Sequence, residues 1–287
     1  MRDVVLSKAT ETSINEYLDK PSPVIVISGN PGSGKHYLAK KIAAELLEIN
    51  YDKLLTYPYL IQLEPENNNI SIDSIRQVQT DLIRVVPGKS KIRQVIIIEN
   101  AQTLGQEAQN ALLKTLEDTK EATVFILCMP KMSDVLETVA SRAREIRVHA
   151  VPQTAAEKYF GPKYGAEVIQ QAYRLGNGNM GLMSAILRGE KTDLTDAITD
   201  VKHILSLSQH DKLLEVTRLV KDKDKVTAFL DTFSLLAHAS VKNTLKMGKM
   251  TDATRWQAIS KRVARAQKSL DKNASPKLVL TDLFLNI

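Results

Sequence analysis

Cysteine is almost absent from this sequence of 287 residues, in which Cys128 is the only one. A single thiol excludes both a disulfide framework and a cysteine-based zinc site built from this chain alone. Aromatic residues are also scarce, at 5%, so we expect a core made mainly of leucine, isoleucine, valine and alanine. No stretch approaches the ~20 apolar residues of a membrane span, and the first residues lack the apolar run of a signal peptide. These absences predict a cytoplasmic protein with no membrane partner.

The two ends of the chain differ in charge. Residues 1–190 carry 22 Lys or Arg and 22 Asp or Glu, whereas residues 191–287 carry 17 and 11, which accounts for the whole net charge of +6. Much of the excess lies in 242–272. That segment could meet nucleic acid or an acidic partner, or it could be a solvated helical surface, which is the more common situation.

Strand and helix signals alternate along the first 150 residues. Short β-branched or apolar runs predict buried strands at 24–28, 95–98, 122–129 and 145–148. Apolar residues at helical spacing predict helices at 37–49, 71–85, 107–116 and 133–139. This alternation predicts an α/β fold with a parallel sheet that is covered by helices on both faces. Beyond Pro152 the strand signals vanish and only helices are predicted.

A glycine-rich turn links the first predicted strand to the next helix. It reads Gly29-Asn30-Pro31-Gly32-Ser33-Gly34-Lys35-His36, with the GxxxxGK spacing of a phosphate-binding loop. Glycines let successive backbone N–H groups turn toward phosphate oxygens, and the helix N-terminus adds partial positive charge. Lys35 would reach the β- and γ-phosphates of a nucleotide. The motif, in its strand–loop–helix context, predicts descent from a nucleotide-binding protein.

Several residues that would complete an ATPase site are missing. The position after Lys35 should be Ser or Thr, whose hydroxyl ligates Mg²⁺, but it is His36, which suits a hard ion poorly. The strand at 95–98 leads into Glu99, which could still hold a metal-bound water, and Asn100, which cannot act as general base. The strand at 122–129 ends in Met129, where a γ-phosphate sensor is expected. The sequence therefore predicts no hydrolysis, and it leaves open whether ATP or ADP is bound.

Four further stretches resemble the bacterial clamp-loader family, the AAA+ proteins that open a sliding clamp and place it on primed DNA. Residues 106–118 resemble the family's AQNALLKTLEE helix, and 136–144 resemble the stretch with its Ser-Arg-Cys motif. Residues 70–76 and 273–285 also look like family segments. The resemblance implies three domains, namely a RecA-like AAA+ core at 1–150, a helical lid at 151–190 and a helical collar for oligomerisation at 191–287.

The resemblance also implies a role. Active members have a lid arginine where this chain has Gly181, and most carry a four-cysteine zinc module that is absent here, so no zinc is expected. The family includes the delta-prime type, a stator that does not hydrolyse ATP but completes its neighbour's site. Arg142 matches the motif's arginine, which is implied to act in trans as an arginine finger, although Ala143 replaces the motif's cysteine. Arg76 is a candidate for facing DNA within the ring.

The implied partners are motor subunits of the gamma or tau type, a clamp-opening subunit of the delta type, the sliding clamp and primer-template DNA. We therefore expect a subunit of the DNA polymerase III clamp loader without ATPase activity of its own. Two alternatives stay open. One is a divergent clamp-loader ATPase that uses Glu99 with a water-mediated metal shell, against which Asn100, Met129 and Gly181 argue. The other is a stand-alone AAA+ protein of DNA repair or remodelling.

Overall fold

The computed structural model describes residues 4–83, 86–88, 90–118, 122–135, 137–190, 193–221, 223–272 and 274–287. The chain divides into two compact units, Met1–Pro152 and Gln153–Ile287. The first unit contains a parallel β-sheet with helices, and the described residues of the second are helices and their connections.

The sheet of the first unit has five strands in the order β2-β3-β4-β1-β5, and every neighbouring pair is parallel. The strands are β1 (Val24–Ser28), β2 (Leu60–Leu63), β3 (Gln94–Ile98), β4 (Thr123–Met129) and β5 (Arg144–Arg147). The central strands β1, β3 and β4 are fully buried along their length, as expected for a parallel sheet covered on both faces. The predicted α/β fold is thus confirmed.

Helices cover both faces of this sheet. They are α1 (Lys8–Asp19), α2 (Lys35–Leu46), α3 (Ile72–Leu82), α4 (Gln106–Glu117) and the single turn α5 (Glu137–Ala140), with 3₁₀ turns at Tyr51–Thr56, Ala101–Thr103 and Met132–Asp134. Successive side chains of a strand point to opposite faces. Accordingly, Ile25 and Ile27 of β1 pack in one hydrophobic cluster with α1 and α2, while Val24 and Val26 pack in another with α3 and α4.

Two elements escaped prediction and one predicted helix is wrong. Helix α1 and strand β2 have no counterpart among the predicted elements. The helix predicted over 133–139 is instead a 3₁₀ turn and the separate turn α5. The Asp134 carboxylate accepts a bond from the backbone N–H of Lys131 at 3.0 Å, and Val135 is extended, which ends the turn. Helix α3 ends at Leu82, and Val85 of the predicted helix lies outside the described residues.

The second unit contains the helices α6 (Gln153–Phe160), α7 (Ala166–Gly176), α8 (Met180–Arg188), α9 (Asp193–Ser206), α10 (Gln209–Leu219), α11 (Lys223–Lys246), α12 (Met250–Asp271) and α13 (Pro276–Leu285). A small apolar cluster around Phe160 and Met183 joins α6, α7 and α8. A larger cluster around Phe229, Phe233 and Phe284 joins α9 to α13 and includes Leu182 of α8. The division into a lid and a collar at residue 190 stays a prediction.

No helix within the described ranges is both long and apolar enough to cross a membrane.

Candidate nucleotide site

The glycine-rich loop lies at the carboxyl edge of the sheet, which is the side where the parallel strands end. It follows Ser28, the last residue of β1, which pairs with Met129 of β4 and Arg147 of β5. The Gly29 N–H donates to the Met129 carbonyl at 3.2 Å, and α2 begins at Lys35. Ligands of open parallel sheets bind outside the carboxyl ends of the strands. The loop therefore stands at the edge where a nucleotide is expected.

Three of its glycines are required by the geometry. Gly32 and Gly34 have φ angles of 74° and 86°, in the left-handed region that favours glycine. At Gly29, a Cβ atom would lie 2.8 Å from Ser33 Oγ and 3.2 Å from Val148 Cβ. No side chain fits there without movement, so the loop keeps the tight form that a phosphate cradle needs.

Two polar groups in this loop are buried without a protein partner. Lys35 is only 5% exposed, and it makes no hydrogen bond or salt bridge with the described part of the chain. Burial lowers its pKa, while Cys128 and Glu99 act in the opposite direction. The Ser33 hydroxyl is also buried and has no partner. Because unmatched buried polar groups cost free energy, this pair favours a loop built for an anionic ligand.

The acidic residue after β3 is already neutralised by the protein. His36 Nδ1 lies 3.0 Å from Glu99 Oε2, and Lys40 Nζ lies 3.3 Å from Glu99 Oε1. The backbone N–H of Glu99 donates to Leu63 at 2.8 Å, which fixes the residue beside the end of β2. Contact with His36 is the largest cause that lowers the pKa of Glu99, Lys40 lowers it further, and burial opposes both. The carboxylate is therefore ionised with a side-chain nitrogen near each oxygen, although His36 Nδ1 and Glu99 Oε1 lack a hydrogen-bond partner among the described residues.

These residues do not fit the Mg²⁺ ion that a phosphate loop implies. Mg²⁺ prefers oxygen ligands in octahedral geometry, and the position that should offer a hydroxyl offers the His36 imidazole. Both Glu99 oxygens face side-chain nitrogens, and a metal would have to displace them while approaching Lys35 and Lys40. Among the described residues, no group of three or more His, Cys, Asp or Glu is placed to hold a metal.

The two other residues of this unit that differ from an active ATPase site are Asn100 and Met129, which lie near Glu99 at the carboxyl edge of the sheet. Asn100 directly follows Glu99 in a left-handed conformation, and its carbonyl accepts bonds from the Thr103 N–H and hydroxyl, both at 2.8 Å. Met129 ends β4 inside the apolar cluster of α3 and α4 and is fully buried. Asn100 cannot take a proton from water, and Met129 has no donor for a γ-phosphate oxygen.

Arg142 lies at the amino edge of the sheet, which is the side where the parallel strands begin. It precedes β5 by two residues, and β5 pairs Arg144 with Ile25 near the start of β1. At ~3.3 Å per residue, the four steps from Ile25 to Gly29 separate this level from the loop by roughly 13 Å. The Arg142 side chain is 43% exposed; it donates to Glu117 Oε1 at 2.8 Å and to the Thr138 carbonyl at 2.9 Å. The structure therefore places Arg142 away from its own phosphate loop.

Other sequence-predicted positions are spread over the molecule. Arg76 lies on α3, is 64% exposed and donates to Asp73 Oδ1 at 2.9 Å; its contact with DNA stays a prediction. Gly181 lies in the first turn of α8, in the second unit. Leu136 and Asn273, which belong to two of the family-like stretches, fall outside the described residues.

Two members of these arrangements were missed by the sequence analysis. Lys40 stands four residues after His36 on α2, a spacing that places both on one helical face, and this could have identified it. Glu117 is 25 residues from Arg142 in the chain, and no local pattern joins them.

The fold and the loop define a P-loop AAA+ protein. A structure that shares this fold is a DNA polymerase III gamma subunit-related protein of Thermotoga maritima, which is 18% identical with a TM-score of 0.53 and matches over 96% of this chain and 97% of its own. The sequence profile described as "DNA polymerase III, delta subunit" matches residues 8–152. The chain belongs to this family, and it is a clamp-loader-type protein.

Curated relatives agree with this assignment. The chain is similar to a replication factor C small subunit of Sulfurisphaera tokodaii, with 24% identity over 254 residues, which are 84% of this chain and 76% of the relative. It is 26% identical to DNA polymerase III subunit gamma of Buchnera aphidicola over 82% of this chain and 66% of the relative. DNA polymerase III subunit delta' of Pseudomonas aeruginosa is 29% identical over 54% of this chain and 52% of that protein.

Proposed function

We propose that this chain is a stator subunit of the delta-prime type in the DNA polymerase III clamp loader, and that it supplies Arg142 to the ATP of a neighbouring motor subunit. Its partners would be gamma- or tau-type motor subunits, a delta-type clamp-opening subunit, the sliding clamp and primer-template DNA. The observation that carries the proposal is the position of Arg142 at the opposite edge of the sheet from its own phosphate loop.

The surroundings of Arg142 support a role toward another molecule. Its guanidinium is held in place by Glu117 and the Thr138 carbonyl, yet nearly half of the side chain is exposed. A guanidinium that contacts the transferring phosphoryl group stabilises the charge of the transition state, which is a large term in phosphoryl transfer. Arg142 thus combines a defined orientation with access from outside.

The surroundings of the loop support the absence of hydrolysis in cis. Glu99 contacts the Lys40 ammonium and the His36 imidazole, and Asn100 next to it cannot serve as general base. The residues around Glu99 offer neither a free carboxylate for a metal ion nor a group that could activate water. Hydrolysis by the assembly would then occur at the sites of the motor subunits.

Arg142→Ala tests the proposal in a complex reconstituted with motor subunits, clamp-opening subunit, clamp and primed DNA. We expect assembly to be unchanged by gel filtration, while hydrolysis at the one motor site that this chain contacts falls by up to roughly 10³-fold. Arg144→Ala is the matched control, since Arg144 is similarly exposed but pairs with Glu16 at 2.8 Å, and it should leave hydrolysis unchanged.

Two results would overturn the proposal. Unchanged hydrolysis by the Arg142→Ala complex removes the arginine from the role of finger. Robust Mg²⁺-dependent turnover by the purified chain alone, measured without any motor subunit, would instead favour a divergent ATPase.

A further inference from the structure

We infer that the phosphate loop binds the di- or triphosphate group of a nucleotide without a divalent metal ion, because side chains of the protein supply positive charge at the metal position. This inference concerns the chain's own loop, whereas the stator role concerns Arg142 at the other edge of the sheet. Each can therefore fail without the other.

The buried polar groups of the loop match an anionic ligand. Lys35 and the Ser33 hydroxyl are each more than nine-tenths buried, and neither has a partner within the described residues. Helix α2 begins next to them, and its N-cap residue Gly34 has no side chain to satisfy the first backbone N–H groups. A cation, a hydroxyl and free N–H groups thus converge on one turn, and phosphate oxygens match all three.

Side chains of the protein lie where a metal ion would bind. In an ATP-hydrolysing loop, Mg²⁺ sits between the hydroxyl after the lysine and the acidic residue after the neighbouring strand. Here the corresponding residues, His36 and Glu99, contact each other at 3.0 Å, and Lys40 holds the second oxygen of Glu99 at 3.3 Å. This His36–Glu99–Lys40 cluster occupies the space between loop and strand with protein atoms.

The net charge around the loop favours an anion over a further cation. With Lys35 and Lys40 against the single carboxylate of Glu99, the corner carries net positive charge before any metal ion arrives. Adding Mg²⁺ would place two more positive charges beside two ammonium groups in a partly buried site, where Coulomb repulsion is strong. A polyphosphate supplies the opposite charge. The loop should therefore prefer the metal-free nucleotide to its Mg²⁺ complex.

The test is a calorimetric titration of the full purified chain with ADP, ATP and inorganic pyrophosphate, each in EDTA and in Mg²⁺. We expect ADP and ATP to bind at least as tightly in EDTA as in Mg²⁺. Pyrophosphate should also bind in EDTA, because the argument rests on the phosphates and not on the base. Binding that requires Mg²⁺, or no binding of any of the three, would overturn the inference.

His36→Thr is the most direct variant, because it supplies the hydroxyl and frees Glu99 Oε2 from its nearest side-chain nitrogen. We expect Mg²⁺ to strengthen ATP binding by this variant about tenfold, whereas it does not strengthen binding by the natural chain. If binding by His36→Thr stays indifferent to Mg²⁺, the side chains at this corner do not determine the metal requirement.

Lys40→Met and Lys41→Met form a matched pair on the same helix. Lys40 contacts Glu99, so its loss should weaken ATP binding in EDTA several-fold. Lys41 instead lies over the Tyr51 ring, 4.0 Å from its centroid, and its loss should leave binding unchanged. Equal weakening by the two variants would indicate a general effect of charge and would contradict the role of the cluster. Thermal unfolding of each variant confirms that it folds.

Discussion

The carboxylates at the carboxyl and amino edges of the sheet differ in how far they and their partners are exposed to solvent. At the carboxyl edge, Glu99 is only 13% exposed and meets His36 and Lys40 in a partly buried corner. At the amino edge, Glu117 is 54% exposed and meets the guanidinium of Arg142 at the surface. The first carboxylate is neutralised by residues of its own site, while the second orients a cation that another molecule can reach. The comparison shows which charge of this chain is available to a partner.

The two ion pairs should also differ in their contribution to the free energy of unfolding. Removing one partner of a buried ion pair leaves an uncompensated charge in a medium of low dielectric constant, which costs several kcal/mol in the strongest cases. Exposed pairs contribute only ~0–1 kcal/mol, because water and salt screen them. Substitutions at the two edges should therefore differ in their effect on stability.

Glu99→Gln should have the largest effect on stability. It leaves His36 and Lys40 without their shared carboxylate, and we expect it to lower the free energy of unfolding by about 1–3 kcal/mol at pH 7. Urea denaturation of the purified chain measures the change.

The pH dependence of that difference provides a check. Because the pKa of Glu99 is lowered below its ordinary value of 4.5 in the folded state, its contribution is complete above pH 4.5 and is lost as pH falls through the lowered value. The gap between the natural chain and Glu99→Gln should close in acid. A gap that stays constant from pH 7 into acid would show that the carboxylate's charge is not the cause.

Lys35→Met should change stability in the opposite direction. Its ammonium is buried without a partner among the described residues, so replacing it with an apolar side chain should raise the free energy of unfolding by about 1 kcal/mol. Burial lowers the pKa of Lys35 from its ordinary value of 10.5, so the penalty is absent above pH 10.5 and reaches its full size once pH falls below the lowered value.

Lys40→Met is the control for this prediction, because Lys40 is paired and its loss should lower stability. Differential scanning calorimetry at pH 7 compares the two variants. A loss of stability in both would mean that Lys35 is satisfied within the folded chain, and the case for an anion in the loop would weaken.

Glu117→Gln should have the smallest effect. The pair with Arg142 is exposed on both sides, so we expect a change in unfolding free energy below ~0.5 kcal/mol. In the reconstituted complex, hydrolysis should fall less than with Arg142→Ala, because the Thr138 carbonyl still orients the guanidinium. A stability loss as large as that of Glu99→Gln would erase the difference between the two edges.

Contiguous patterns allowed much of this molecule to be predicted from its sequence. The strands at the sheet centre are short runs of β-branched residues, and the phosphate loop is a local motif whose glycines have fixed roles. Strand β2 was harder to predict, because it is four residues long, half-buried and an outermost strand of the sheet. Helix α1 buries only Thr10, Ile14 and Tyr17, which is too narrow an apolar stripe to stand out.

The candidate site was predicted only in part, for a different reason. The sequence identified His36 as a departure from an active site and Glu99 as a carboxylate that could still hold a metal-bound water, but it did not show that they contact each other. That contact depends on the register of β1, β3 and β4, which brings positions 63 residues apart to one edge of the sheet. The ion pair between Glu117 and Arg142 likewise joins two segments that are distant in the sequence.

The placement of the phosphate loop and Arg142 on opposite edges has a consequence for symmetry. A two-fold pairing of two copies would be reciprocal, with the Arg142 surface of each copy against the phosphate-loop surface of the other within a single interface. A motor subunit that receives Arg142 without giving an arginine in return makes a heterologous, head-to-tail contact with this chain instead. One edge of each chain then meets the other edge of the next, and the order of subunits acquires a direction.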